Sequence, residues 1–180
     1  LGGSRRARTA SPRGTAKDRA LLLLGVRWRS REELRRRLSS AGFDPEQISA
    51  ALADLERAGL IDDARFAREV VREQAGRRLL GDRAIRSALR AKGVDPADTE
   101  EAVGQIGDER ERALKLAGRH ALRSANLSAD AAYRRIVGML LRRGYGNATA
   151  REAAGVALAG RLDPDVQAEA DVDAAADEDA

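Results

Sequence analysis

The sequence has no cysteine, a single histidine and only 3% aromatic residues across 180 positions. The missing cysteines exclude disulfides and thiolate chemistry, so a reducing cytoplasm is the expected compartment. No nucleophile, base and orienting group can be assembled from the remaining inventory, which argues against an enzyme. Gly2-Gly3 is too isolated for a phosphate loop, and no Walker-type lysine follows it. No cofactor or metal is expected. Long apolar runs are also absent. The longest, Ala20 to Leu24, falls far short of the roughly 20 residues of a membrane span, and the N-terminus lacks the apolar core of a secretory signal. Leu1 rather than Met stands first, so the chain is expected to begin partway into a longer product.

One sign of charge is missing at each end. Residues 1–16 hold Arg5, Arg6, Arg8 and Arg13 with no acid, whereas residues 163–180 hold eight acids and no base. Both ends lack apolar periodicity and are expected to be disordered tails. The body between them is strongly basic, almost entirely through arginine: Lys17, Lys92 and Lys115 are the only lysines. Such a body suits a nucleic-acid or nucleoprotein partner.

What is present repeats. Leu34, Leu38, Gly42, Phe43, Asp44, Pro45, Ile48, Leu52 and Leu55 recur 51 positions on as Ile85, Leu89, Gly93, Val94, Asp95, Pro96, Thr99, Val103 and Ile106. A further 51 positions give Ile136, Leu140, Gly144, Tyr145, Gly146, Asn147, Ala150, Ala154 and Ala157. Leu34 and Leu38 lie on one helix stripe, Gly42 can end that helix in the left-handed conformation, and Asp44-Pro45 caps the next. Ser30 and Glu33 fit a capping box. Asp62-Asp63 reads as a cap rather than a metal or acid–base pair. No alternating apolar run bounded by hairpin turns points to a strand.

These signals predict an all-α fold, a tandem array of three three-helix, helix-turn-helix-like repeats forming an elongated, curved solenoid. The expected boundaries are a basic tail over 1–16, repeats over 17–61, 62–107 and 108–160, and an acidic tail over 161–180. The third repeat is expected to fray first. There Gly146 replaces the capping Asp, and Ala150, Ala154 and Ala157 replace larger apolar groups.

Turning Leu34 and Leu38 inward points Arg36 outward, with Arg35 and Arg37 on its flanks. The same rotation presents Arg83, Arg86 and Arg90 in the second repeat and Arg134, Arg135 and Arg142 in the third. These nine arginines are the candidate partner-binding residues. Trp28 is expected to pack before the cap of the Ser30 helix, and lone His120 to be structural or exposed.

The segment SREELRRRLSSAGFDPEQISAALADLERAGLIDDARFA, residues 30–67, resembles the RecX family of recombinase regulators. The matching features are Ser30, Glu33 and Leu34, then Gly42-Phe43, Leu55, Gly59-Leu60, Asp62-Asp63 and Phe66-Ala67. Leu89 to Val94 and Leu141 to Tyr145 fit that family's later repeats. The resemblance implies a small, non-enzymatic protein that binds the RecA filament on single-stranded DNA, and the linear stack of repeats, which has no closed symmetric interface, is expected to be a monomer. The resemblance also implies inhibition of ATP hydrolysis and strand exchange, with consequences for homologous recombination, DNA repair and the SOS response. Weak non-specific DNA binding is a further expectation. The competing reading is a winged-helix transcriptional regulator, which needs a β-hairpin wing after Leu60-Ile61.

Overall fold

The computed structural model describes residues 14–160, so the expectations for residues 1–13 and 161–180 lie outside it. Among the described residues there are nine α-helices and no strand. They form three triples: α1 (Ala16–Val26), α2 (Arg31–Ser40) and α3 (Pro45–Arg57); α4 (Asp63–Arg72), α5 (Asp82–Ala91) and α6 (Pro96–Gly104); α7 (Glu109–Leu122), α8 (Ala129–Arg142) and α9 (Asn147–Gly160). A π-helical turn, Glu73–Arg77, extends α4. No helix among the described residues is long and apolar enough to cross a membrane.

The recurring glycine ends the middle helix of every triple. Gly42, Gly93 and Gly144 have φ of 88°, 73° and 89°, a region nearly closed to residues with a Cβ. Just beyond each, the amides of Phe43, Val94 and Tyr145 return to the carbonyls of Leu38, Leu89 and Leu140 at 3.2–3.3 Å. Both partners in each pair are buried, so the turn closes the backbone and seals an apolar contact together. Asp44 and Asp95 then cap α3 and α6 through the amides of Glu46 and Ala97, at 2.9 and 2.8 Å.

The chain divides into two compact units. One runs to Val70 and takes in Ala88–Ala102, and the other holds Val71–Ser87 and the chain from Val103. In the first, α1, α2 and α3 close over Leu34, Leu38, Ile48, Leu52 and Leu55. In the second, α7, α8 and α9 close over Leu116, Ile136, Leu140 and Tyr145. Ala150, Ala153 and Ala154 are fully buried there. Their small side chains let α9 lie close against its neighbours, so their face is filled.

Each unit holds the same joint. In the first, the buried Ser30 hydroxyl donates to the Lys92 carbonyl at 2.5 Å, while the Asp63 carboxylate accepts from the Arg31 amide at 2.8 Å. In the second, the Gly81 amide donates to the Arg143 carbonyl at 3.0 Å, while the Glu109 carboxylate accepts from the Asp82 amide at 2.8 Å. An acid at the first position of a lead helix therefore satisfies the open N-terminus of the preceding middle helix.

This joint splits the roles expected of Asp62-Asp63. Asp62 caps its own helix through the Arg65 amide at 2.8 Å, and Asp63 caps α2. Burial pushes the Asp63 carboxyl above its usual range, helped by the nearby Asp98 and Glu56 carboxylates and opposed by the Arg31 amide. The Ser30–Glu33 capping box is half formed. Ser30 accepts from the Glu33 amide, but the Glu33 carboxylate turns to arginines instead.

Candidate interaction surface

Eight of the nine candidate arginines are exposed, and Arg86 is half-buried. Arg35, Arg36, Arg37 and Arg90 belong to the first unit. Arg83, Arg86, Arg134, Arg135 and Arg142 belong to the second.

On α2 the arginines are not bare cations. Glu32 accepts a fork from Arg35 at 2.6 and 2.7 Å and a third bond from Arg36 at 2.8 Å. The hydrogen bonds from Arg35, then Arg36, hold its carboxyl down at about 2. Arg36 also donates to the Ala91 carbonyl at 3.0 Å, at the C-terminal end of α5, where a cation is favoured. Burial pushes the Glu33 carboxyl up, yet the bonds it accepts from Arg27 and Arg29 outweigh this and leave it below the usual range. Arg37 reaches the same carboxylate at 3.4 Å. Although no acid stands between Glu33 and Asp44 in the sequence, the acids one turn earlier offset the run of three arginines.

The other two middle helices are mixed. Arg86 pairs with Asp82 at 3.7 Å, Arg134 pairs with Asp130 at 2.8 Å, and Arg83 donates to the Leu141 carbonyl at 3.3 Å. Arg90, Arg135 and Arg142 have no acid partner among the described residues. They are the least neutralised members of the candidate set. A cleft of about 530 Å³ lies against α1 and α2, lined by Arg19, Arg36 and Arg37 together with Glu33 and Leu23.

Trp28 does not seal the start of α2 as expected. Trp28 is 41% exposed, and its ring lies under the Arg65 guanidinium, 4.5 Å from the ring centroid, a cation–π arrangement. His120 is half-buried, and burial together with Arg123, Arg143 and Arg135 depresses its pKa. Around it lies a second basic cleft, formed by Arg77, Arg78, Arg119, Arg123 and Arg143. None of these arginines is among the nine that helix periodicity turns outward. No group of three or more His, Cys, Asp and Glu that could hold a metal occurs among the described residues.

Family models described as the first and second three-helix domains of RecX match residues 16–55 and 62–103. The chain is 42% identical over 152 residues to Regulatory protein RecX of Corynebacterium efficiens, covering 81% of this chain and 72% of that one. It is 40% identical over 152 residues to Regulatory protein RecX of Mycolicibacterium smegmatis, covering 80% of each. Among solved structures, the crystal structure of RecX from Lactobacillus salivarius superposes with a TM-score of 0.71 at 25% identity, covering 79% of this chain and 94% of that one.

Proposed function

The chain belongs to the RecX family of regulatory proteins, and from that membership we propose that it binds the RecA filament on single-stranded DNA and inhibits ATP hydrolysis and strand exchange. It acts in the cytoplasm as a monomer, without catalysis of its own, and so modulates recombinational repair and the SOS response. The observation that carries this reading is the display of exposed arginines on the middle helix of each of three successive triples. Contacts of that kind suit a polymeric acidic partner, because each is modest and the total is multivalent. Arginine adds the fork geometry that carboxylates and phosphates accept.

Co-sedimentation tests the binding step. The protein is expected to pellet with RecA assembled on single-stranded DNA and to remain in the supernatant without the filament. A chain left in the supernatant in both cases contradicts the reading. The winged-helix alternative requires a hairpin after Ile61. The chain instead passes through the Asp62 cap into α4, and no strand occurs among the described residues.

A further inference from the structure

We propose that the second basic cleft, bounded by Arg77, Arg78, Arg119, His120, Arg123 and Arg143, binds the phosphodiester backbone of single-stranded DNA. The proposal rests on the functional reading above only in choosing DNA as the source of the phosphates. The cleft lies wholly within the second unit.

Charge is the first argument. Arg77, Arg119 and Arg123 are exposed and have no acid partner among the described residues. Arg78 meets Glu73 only at 3.7 Å, and Arg143 donates to the Arg78 carbonyl. No acid lines the cleft. The middle helices differ in this respect, since Glu32, Asp82 and Asp130 sit among their arginines.

Shape is the second. The cleft encloses about 530 Å³ over a floor of Leu79, Leu80 and Leu116. That size takes in a sugar and base rather than the width of a duplex, and the apolar floor offers them a surface while the rim holds phosphate. Five guanidiniums also exceed what one side-chain carboxylate can accept, whereas successive phosphodiesters offer repeated acceptors.

The rim is also held in place. Arg77 ends the π-helical turn, and such turns recur at functional sites. Leu79 has φ of 47°, a conformation a branched side chain adopts only when its surroundings enforce it. The buried Tyr145 hydroxyl donates to the Leu79 carbonyl at 2.7 Å and secures that conformation.

His120 provides a built-in reporter, being the only histidine in the chain. Arg123 just past the end of α7, Arg135 on α8 and Arg143 just past its end act on its charge, and Arg119 on α7, Arg77 at the end of the π turn and the following Arg78 line the same cleft. Bound phosphate offsets those charges, so the imidazolium becomes easier to form and the ring's titration midpoint rises.

The experiment measures binding of a labelled oligothymidylate to the full chain by fluorescence anisotropy, without any recombinase. The double variant Arg119→Ala/Arg123→Ala is expected to bind about tenfold more weakly, with a salt slope lower by about 1.4, or about 0.7 per lost contact on a single strand. Arg57→Ala/Arg151→Ala removes the same charge elsewhere and is expected to match the wild type within about twofold. By NMR, the His120 midpoint is expected to rise when the oligonucleotide is bound. Equal binding by wild type and Arg119→Ala/Arg123→Ala overturns the proposal, as does an unmoved His120 midpoint with oligonucleotide bound. A midpoint moved by inorganic triphosphate or polyglutamate but not by the oligonucleotide overturns DNA as the ligand. Retained inhibition of RecA by the double variant leaves the proposed function standing whichever way the cleft behaves.

Discussion

The Ser30 hydroxyl donates to the Lys92 carbonyl across 62 residues of sequence, and 51 positions further on the Gly81 amide meets the Arg143 carbonyl in the same joint. The sequence repeat therefore records a repeated contact as well as a repeated helix-turn-helix. Each joint requires a small residue at the start of one middle helix and a left-handed glycine at the end of the next.

The glycines that end the middle helices are expected to differ in cost, because Gly144 lies in a joint and Gly42 does not. Gly42 lies in open space, so Gly42→Ala bears only the conformational penalty of about 1–2 kcal/mol. A Cβ on Gly144 meets the Ala84 backbone nitrogen at 2.5 Å, adding roughly 1–3 kcal/mol of overpacking. Urea denaturation checks the ranking, and equal losses contradict the joint.

Tyr145→Phe removes a buried hydroxyl and leaves the Leu79 carbonyl without its partner. A loss of about 1–3 kcal/mol is expected, together with weaker anisotropy-detected binding at the adjacent cleft. Unchanged stability contradicts a net contribution from this bond.

Glu32 gives the α2 arginines a pH dependence. Its folded pKa is depressed from 4.5 to about 2, so its contribution is fully present above 4.5 and is lost as pH falls towards 2. Asp63 acts in the opposite sense, because its folded pKa is raised: its contribution is present at low pH and declines as pH rises. Comparing wild type with Glu32→Gln isolates the first effect. The variant is expected to be the less stable at neutral pH, with the difference shrinking between pH 4.5 and 2. The same substitution unmasks Arg35 and Arg36 and is expected to strengthen non-specific DNA binding.

Arg65→Ala is expected to cost about 0.5–1 kcal/mol and to alter the fluorescence of Trp28, the only tryptophan. An unchanged emission spectrum indicates that the two side chains do not stack in solution.

The helices were legible because their causes are local. Leu34 and Leu38 share a stripe, Gly42 ends it and Asp44 starts the next helix, all within twelve positions. The joint was not legible. Asp63 looks like half of an N-terminal cap pair, and only folding brings its carboxylate to the Arg31 amide. Periodicity also identified which arginines face outward but not which are neutralised, because Glu32 and Glu33 reach forward along α2 from outside the arginine run. Arg77-Arg78 and the Arg119/Arg123 pair are visible as sequence features, but nothing local indicates that they border one cleft.

The unpaired members of the candidate face provide the sharpest functional variant. Charge reversal at Arg90, Arg135 and Arg142 is expected to weaken inhibition of RecA strongly while leaving helicity and melting unchanged, because all three are exposed and lack acid partners among the described residues. Raising salt is expected to weaken the wild-type effect in parallel.

The central claim is tested most directly by the rate of ATP hydrolysis by RecA, from the same source, on single-stranded DNA as this chain is added. Substoichiometric protein is expected to lower the rate, and the variant reversed at Arg90, Arg135 and Arg142 to lower it far less. A rate unaffected by the wild-type chain contradicts the proposed function.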